Sequence, residues 1–248
     1  MIKHKTSILK KEWLSPDVFS IECGPLKIKP TPGQFLQIQV NDSFDPLLNR
    51  PISIADYEKN RLLMIIKVVG KGTKILSEKK SGDELILFGP FGSRFKLKNK
   101  RSIIIAGGIG VAPLYFLAKG LKKQGIDFTF VYGAKKPEDL ILKKEVKNIS
   151  PAAVFITESG NKKTGTALSA LNELDLRGYE IGYACGPKAM LKELKKMDLN
   201  FPVYAFCEDF LGCGCGLCLG CAIKYYGTYK RICEDGPVFE LKGIEFND

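Results

Sequence analysis

The stretch Ser102-Ile103-Ile104-Ile105-Ala106-Gly107-Gly108-Ile109-Gly110-Val111-Ala112-Pro113 sets the fold class. Its first five residues form a continuous apolar run, the pattern of a strand covered on both faces of a parallel sheet. Three glycines within the next four positions break that run, and Pro113 stands where a first-turn helix proline belongs. Leu114, Leu117, Ala118 and Leu121 then fall on one helical face, and Gly125 stops the helix. Downstream the alternation repeats. Strands are expected over 128–132, 152–157 and 180–184, and helices over 139–147 and 187–197. Strands alternating with helices predict an α/β domain with a parallel sheet over residues 98–205.

Upstream of this region the pattern is different. Residues 35–40 alternate apolar and polar with period two, and 61–69 and 84–88 read as further strands. Pro30, Pro32-Gly33, Gly70, Gly72, Ser81-Gly82-Asp83 and Gly89-Pro90 supply turns between them. Short strands at this spacing predict a small antiparallel barrel over residues 1–97. Downstream, from residue 206 to 248, the chain is rich in glycine and cysteine. It is too poor in apolar residues to fold on a core of its own.

The chain has 248 residues, 45% of them hydrophobic and 26% charged, the profile of a globular protein. No apolar run reaches the length of a membrane span, and none near the N-terminus suits a signal peptide, which places the expected location in the cytoplasm. The net charge of +11 comes from dispersed lysines, read as a solvated surface. No nucleic-acid-binding signature accompanies it. The sole histidine is His4, which argues against a histidine metal site or a Ser-His-Asp triad.

Six of the eight cysteines lie between Cys207 and Cys233, a clustering that suits metal ligation in a reducing compartment rather than a disulfide framework. Cys213, Cys218 and Cys221 have the spacing C-x4-C-x2-C of plant-type 2Fe–2S proteins, and Cys233 is the candidate fourth ligand. Each iron of such a cluster takes two thiolates. Glycines at 212, 214, 216 and 220 suit a loop whose N–H groups point at sulfur. Two other readings compete. Cys215, Cys218 and Cys221 open a C-x2-C-x2-C run of 4Fe–4S type, but Tyr225-Tyr226 stands where a Cys-Pro should follow. Four cysteines also suit a structural zinc, although the crowded triplet fits it less well.

Three further motifs suggest anion or nucleotide binding. Arg50-Pro51-Ile52-Ser53 opens a strand, and its arginine suits a pyrophosphate through paired hydrogen bonds. A surface arginine before a strand is the ordinary alternative. Gly70-Lys71-Gly72-Thr73 precedes an expected helix over 74–79 and reads either as a phosphate cradle or as a turn with Thr73 as N-cap. Gly107-Gly108-Ile109-Gly110 and Cys185-Gly186-Pro187 both follow strands, at the ends where open α/β sheets bind ligands.

Taken in order, Arg50-Pro51-x-Ser53, Gly72-Thr73, Gly89-Pro90-Phe91-Gly92, Gly107-Gly108-x-Gly110 and Cys185-Gly186-Pro187 resemble the ferredoxin–NADP reductase-like superfamily. With C-x4-C-x2-C-x11-C and Cys233-Glu234-Asp235-Gly236-Pro237-Val238-Phe239 added, the chain resembles the electron-transfer subunits of class 1B, NAD-dependent dihydroorotate dehydrogenases. The resemblance implies a β-barrel FAD domain, an α/β NAD-binding domain and a C-terminal 2Fe–2S region. It implies FAD contacts from Arg50, Pro51, Ile52, Ser53, Ile65, Ile66, Lys67, Gly72 and Thr73. NAD would lie over Gly107, Gly108, Gly110, Cys185, Gly186 and Pro187, and the cluster on Cys213, Cys218, Cys221 and Cys233. Cys215 departs from the family's usual residue. The implied partner is an FMN-containing dihydroorotate dehydrogenase catalytic subunit, in a heterotetramer of two such pairs. No residue is assigned a catalytic role here, because the redox chemistry belongs to the cofactors. Related subunits serve ferredoxin:NADP reductases, sulfide dehydrogenases or hydrogenases. A colourless zinc-stabilised binding module is the non-enzymatic alternative.

Overall fold

The computed structural model describes residues 2–160 and 164–246. The chain divides into two compact units. The first comprises Met1–Phe95, Glu208–Ile223 and Thr228–Pro237, and the second Lys96–Cys207, Lys224–Gly227 and Val238–Asp248.

The first unit is built on a closed barrel of six antiparallel strands. They are β1 (Lys3–Ser15), β2 (Val18–Gly24), β3 (Phe35–Ile38), β4 (Arg50–Glu58), β5 (Arg61–Lys67) and β6 (Glu84–Phe91). Their order around the barrel is β1-β2-β5-β4-β3-β6. Alternate residues point inward, so Ile21, Leu36, Ile54, Leu62 and Met64 are fully buried. Burying each such side chain contributes roughly 1.5–3 kcal/mol. Gly89-Pro90, expected as a turn after a strand, lies inside β6 instead. The pairing of β3 with β6 slips between Phe35–Phe91 and Gln37–Phe88, and Gly89 (φ +124) takes up the extra residue as a bulge.

Helix α1 (Lys71–Glu78) follows β5 and begins three residues earlier than expected, so Gly72 and Thr73 lie in its first turn. Gly70 occupies the N-cap position, and Thr73 acts from inside the helix. Its hydroxyl accepts from the N–H of Val69 (2.9 Å) and of Gly70 (3.2 Å).

The second unit carries a six-stranded sheet of order β14-β11-β10-β7-β8-β9. Its strands are β7 (Ser102–Gly107), β8 (Phe128–Ala134), β9 (Val154–Thr157), β10 (Ile181–Cys185), β11 (Val203–Phe206) and β14 (Val238–Glu240). The first five are parallel and β14 closes one edge antiparallel. Every residue of β7 is buried, as its unbroken apolar run requires. Helix α2 (Val111–Lys123) turns Leu114, Leu117, Ala118 and Leu121 fully inward. Gly125 (φ +70) ends it, with the Gly125 N–H bonded to the Lys122 carbonyl and the Ile126 N–H to that of Leu121, so carbonyls of the last turn find partners.

The helix expected over 139–147 is divided. A 3₁₀ turn at Pro137–Asp139 gives way to the buried pair Leu140 and Ile141, and Leu142 adopts a left-handed conformation (φ +54) before α3 (Lys143–Ile149) begins. Helix α4 (Ala167–Asn172) is capped by Thr166, whose hydroxyl accepts from the Ser169 N–H. Helix α5 (Lys188–Lys196) starts directly after Pro187. Short strands β12 (Ala222–Tyr225), β13 (Thr228–Arg231) and β15 (Ile244–Glu245) complete the set. Among the described residues, no helix is long and apolar enough to cross a membrane.

Candidate functional site

In the barrel unit, strands β4 and β5 pair from Glu58–Arg61 up to Ile54–Met64 and then part. Beyond that point Arg50–Ser53 pair with β3, and Ile65, Ile66 and Lys67 pair with β2. Two neighbouring strands of the barrel thus diverge between the two segments expected to hold a flavin. Arg50, Pro51, Ile52 and Ser53 are all half-buried along this split. Ile65 and Ile66 are buried and Lys67 pairs with Asp17 at 3.2 Å, so this strand offers mainly its free backbone edge.

The start of α1 faces the same place. A Cβ on Gly72 would fall 2.2 Å from Nε and 2.6 Å from Cζ of Arg50. The Arg50 guanidinium therefore lies directly against the first turn of α1. Residues separated by more than twenty positions in sequence are combined into one cationic corner, a guanidinium beside the N-terminus of a helix. Each of these attracts a pyrophosphate on its own. The donor set fits the pyrophosphate of FAD.

The cysteine loop belongs to the same unit. Cys213 Sγ accepts from the backbone N–H of Cys215 (3.5 Å) and of Cys218 (3.4 Å), and the Cys218 thiol also bonds to it. Cys221 Sγ and Cys233 Sγ lie 3.2 Å apart, both buried, and the Gly216 N–H donates to Cys233 Sγ at 3.1 Å. The four predicted ligands thus stand in two pairs, Cys213 with Cys218 and Cys221 with Cys233. Among the described residues no three of His, Cys, Asp and Glu converge on a single metal-binding point. Cys215 also lies beside Cys213.

The thiols differ sharply in acidity. Burial pushes the Cys213 thiol up, but hydrogen bonds from Cys215 and Cys218 outweigh it and bring the pKa down to about 6. Burial and the neighbouring Cys221 sulfur push Cys233 up to about 12. Backbone N–H groups aimed at sulfur are what an anionic cluster needs around its ligands, so this loop fits a cysteine-ligated iron–sulfur centre.

Several supports of the loop are not visible as motifs. Gly92, at the end of the Gly89-Pro90-Phe91-Gly92 segment, donates its N–H to the Cys233 carbonyl (3.2 Å), and Ser93 does the same to Gly236 (2.6 Å). A Cβ on Gly92 would strike Pro237 at 2.7 Å. Arg231 Nη1 donates to the Gly216 carbonyl at 3.1 Å and pairs with Glu234 at 2.6 Å. Gln37, buried in β3, presses against Gly214. Gln37 stands in the polar phase of the 35–40 alternation, which reads as solvent-facing, and it is buried because the cysteine loop covers that face. Arg231 carried no signal.

In the α/β unit, the chain runs from β7 outward to β8 and β9 and returns to β10 on the other side of β7. The strand order reverses between β7 and β10, where Ala106 stands opposite Cys185. Gly107–Gly110 and Cys185-Gly186-Pro187 flank this switch point, the crevice in which open α/β sheets take their ligands. The glycines divide in role. A Cβ on Gly110 would fall 2.4 Å from the Cys185 carbonyl oxygen, and one on Gly107 2.7 Å from Met190 Sδ. One on Gly186 would meet Met190 Cε at 2.5 Å. These three let the two loops pack together. Gly108 (φ +54) faces open space, and α2 follows with no side-chain cap. An uncapped helix start beside a half-buried glycine with open space over it fits a dinucleotide pyrophosphate.

Family models match the cysteine loop and the α/β unit. Residues 208–245 match the family described as the iron–sulfur cluster binding domain of dihydroorotate dehydrogenase B, and residues 104–196 the oxidoreductase NAD-binding domain. The chain is 37% identical over 217 residues to the dihydroorotate dehydrogenase B (NAD(+)), electron transfer subunit of Geobacillus kaustophilus, covering 84% of each chain. It is 36% identical over 251 residues to the protein of the same name from Caldanaerobacter subterraneus, covering 98% of this chain and 99% of that one. Among solved structures, an NADH-dependent reduced ferredoxin-NADP oxidoreductase superposes with a TM-score of 0.89 at 30% identity, over 97% of this chain and 89% of the other. Phthalate dioxygenase reductase shares the fold, with a TM-score of 0.67 at 19% identity over 97% of this chain and 77% of the other. With relatives this similar along nearly its whole length, the chain belongs to the family of electron transfer subunits of NAD-dependent dihydroorotate dehydrogenase B.

Proposed function

We propose that this chain carries electrons from an FMN-containing dihydroorotate dehydrogenase catalytic subunit to NAD+, in the formation of pyrimidines. The observation that carries the reading is the placing of the Arg50–Gly72 corner and the two thiol pairs in one compact unit. When bound, FAD would exchange a hydride with nicotinamide and single electrons with the 2Fe–2S cluster.

The residues named above would do the holding. Arg50 and the first turn of α1, with Gly72 and Thr73, would grip the FAD pyrophosphate. Pro51, Ile52 and Ser53 would line one side of the split strands, and the backbone of Ile65, Ile66 and Lys67 the other. Cys213 and Cys218 would bind one iron, Cys221 and Cys233 the second. N–H groups of residues 215, 216 and 218 would stabilise sulfur charge. Gly108 and the start of α2 would receive the NAD pyrophosphate, with Gly107, Gly110, Cys185, Gly186 and Pro187 shaping that crevice. Residues 1–97 would serve as the FAD region, 98–205 as the NAD region, to whose sheet β14 adds a strand, and the cysteine-bearing part of 206–248 as the cluster region.

The partner contact is assigned to the cluster loop, where Leu217 and Leu219 flank Cys218 and are 82% and 62% exposed. Two copies of each subunit would form the complex. No disulfide joins any of the eight cysteines, which suits a reducing compartment such as the cytoplasm.

The test is reconstitution. Anaerobically purified chain is expected to contain flavin, iron and sulfide. Mixed with the catalytic subunit, it should give dihydroorotate-dependent NADH formation and a mass of two pairs by light scattering. Material with flavin and iron that supports no such reaction would sink the partner assignment. The similarity to a reduced ferredoxin-NADP oxidoreductase supports a second reading, in which the same cofactors serve ferredoxin. Ferredoxin in place of the catalytic subunit is the discriminating arm.

A further inference from the structure

Gln37 lies in the middle of β3, opposite Pro51 on β4 and next to Phe88 on β6. It is 1% exposed, and neither its Nε2 nor its Oε1 has a hydrogen-bond partner among the described residues. Nine buried polar groups in ten are partnered, and one left alone loses its hydration for nothing. Its immediate neighbours differ from it. Leu36 and Ile38 are fully buried hydrocarbons, and Gln34 spends its amide on the Gly92 carbonyl at 2.8 Å. Gln37 alternates with Leu36 and Ile38 and so lies on the other face of β3, where the cysteine loop and not the barrel interior covers it.

The amide is directed at the cysteine loop. A Cβ on Gly214 would fall 2.6 Å from Gln37 Nε2, 2.9 Å from Cγ and 3.2 Å from Cδ. Gly214 (φ +71) is the link between Cys213 and Cys215, and the left-handed turn there opens the space the amide fills. The same residue is the cross-strand neighbour of Pro51 in the flavin motif. Gln37 therefore sits between the segment assigned to FAD and the segment assigned to the cluster, all within one unit.

We propose that Gln37 is a positioning residue of the iron–sulfur centre, its side-chain N–H donating to a sulfur of the cluster held at Cys213. This rests on the reading of Cys213, Cys218, Cys221 and Cys233 as ligands. Reduction adds negative charge to the cluster, and an N–H aimed at sulfur stabilises that charge, so the donor raises the midpoint potential. The other N–H groups at sulfur here, from residues 215, 216, 217 and 218, are backbone. Gln37 supplies a donor that a single substitution removes.

The test is an EPR-monitored redox titration of the full chain with its flavin and cluster bound. Gln37→Met keeps length and burial but has no donor, and it is expected to lower the cluster potential at unchanged iron, sulfide and FAD content. Gln37→Glu, of the same shape, is expected to lower it further. A Gln37→Met protein with full iron content and an unmoved potential overturns the proposal. Should the variants not retain the cluster, wild-type protein labelled with 15N only at glutamine side chains decides. Pulsed EPR of its reduced cluster is expected to show a coupling to 15N, and absence of the coupling overturns the proposal. Wild-type protein without iron would instead overturn the ligand reading, and this inference with it.

Discussion

At the scale of single residues, glycines carry much of the site, for unlike reasons. Gly72 is small because Arg50 lies on it, so Gly72→Ala is expected to push the guanidinium away from the start of α1. The change itself favours a helix by roughly 0.5–1 kcal/mol. Thermal stability should therefore hold or rise while FAD affinity falls about tenfold or more, equivalent to about 1.4 kcal/mol. Flavin content after gel filtration, read beside the melting temperature, checks this; a variant that retains flavin as tightly as the parent would deny Arg50 its role. Gly110 and Gly108 make a contrasting pair. Gly110→Ala drives a Cβ to 2.4 Å from the Cys185 carbonyl, and overpacking against backbone should cost roughly 1–3 kcal/mol in stability. Gly108→Ala meets no atom, and its left-handed backbone costs about 1 kcal/mol. Its effect should appear instead as a raised KM for NADH in dye reduction. The sequence shows that glycines stand at 107, 108 and 110. Which one faces a ligand depends on Met190 and Cys185, far along the chain, and only the folded structure brings these near.

At the scale of elements, periodicity was legible wherever one face of an element is buried. The apolar run of β7 and the inward stripe of α2 emerged as expected, because buried surface dictated both patterns. The helix expected over 139–147 forms only from Lys143, because Leu140 and Ile141 bury themselves through an irregular segment before it. Helix α4 was missed because six residues show too little of a period, and its Thr166–Ser169 cap is a sparse signal. That cap is testable: Thr166→Ala should cost about 1 kcal/mol, lower the melting temperature and leave cofactor content unchanged. The segment around Cys233 shows a different device. Arg231 ties the Gly216 carbonyl to the strand leading into Cys233, while the Gly216 N–H reaches the Cys233 sulfur. Arg231→Ala is expected to loosen this brace, so that iron is lost to a chelator several times faster while FAD remains bound. Arg231→Lys should recover only part of the protection, since a lysine lacks the planar fork that reaches carbonyl and carboxylate together. Equal rates of iron loss in all three proteins would remove Arg231 from the cluster's support.

At the scale of the whole molecule, an electron carrier must bury its cofactors and yet leave one edge of the chain open to a partner. In the cysteine loop proposed as the docking surface, Leu219 has the properties of such an edge. It holds a left-handed conformation (φ +59), which glycine or asparagine takes with less strain, and its side chain is 62% exposed. A large apolar side chain that is strained and solvated contributes little to the fold of its own chain. Leu217, 82% exposed on the other side of Cys218, is equally idle. Two such residues around a cluster ligand gain their use when a second protein covers them, since burying each would contribute roughly 1.5–3 kcal/mol. The double change Leu217→Asp with Leu219→Asp is therefore expected to weaken association with the catalytic subunit by at least about a hundredfold, about 2.7 kcal/mol. NADH-driven reduction of a soluble dye should stay at the parent level, because the segments proposed to hold FAD and NAD lie elsewhere in the chain. A salt series separates this contact from the general field of a chain with net charge +11. Added salt should slow association of the parent and the variant alike if dispersed lysines steer the encounter, whereas the loss caused by the two aspartates should persist at high salt. A double variant that pairs with the catalytic subunit as tightly as the parent would move the docking surface away from the cysteine loop, and with it the point at which electrons enter this chain.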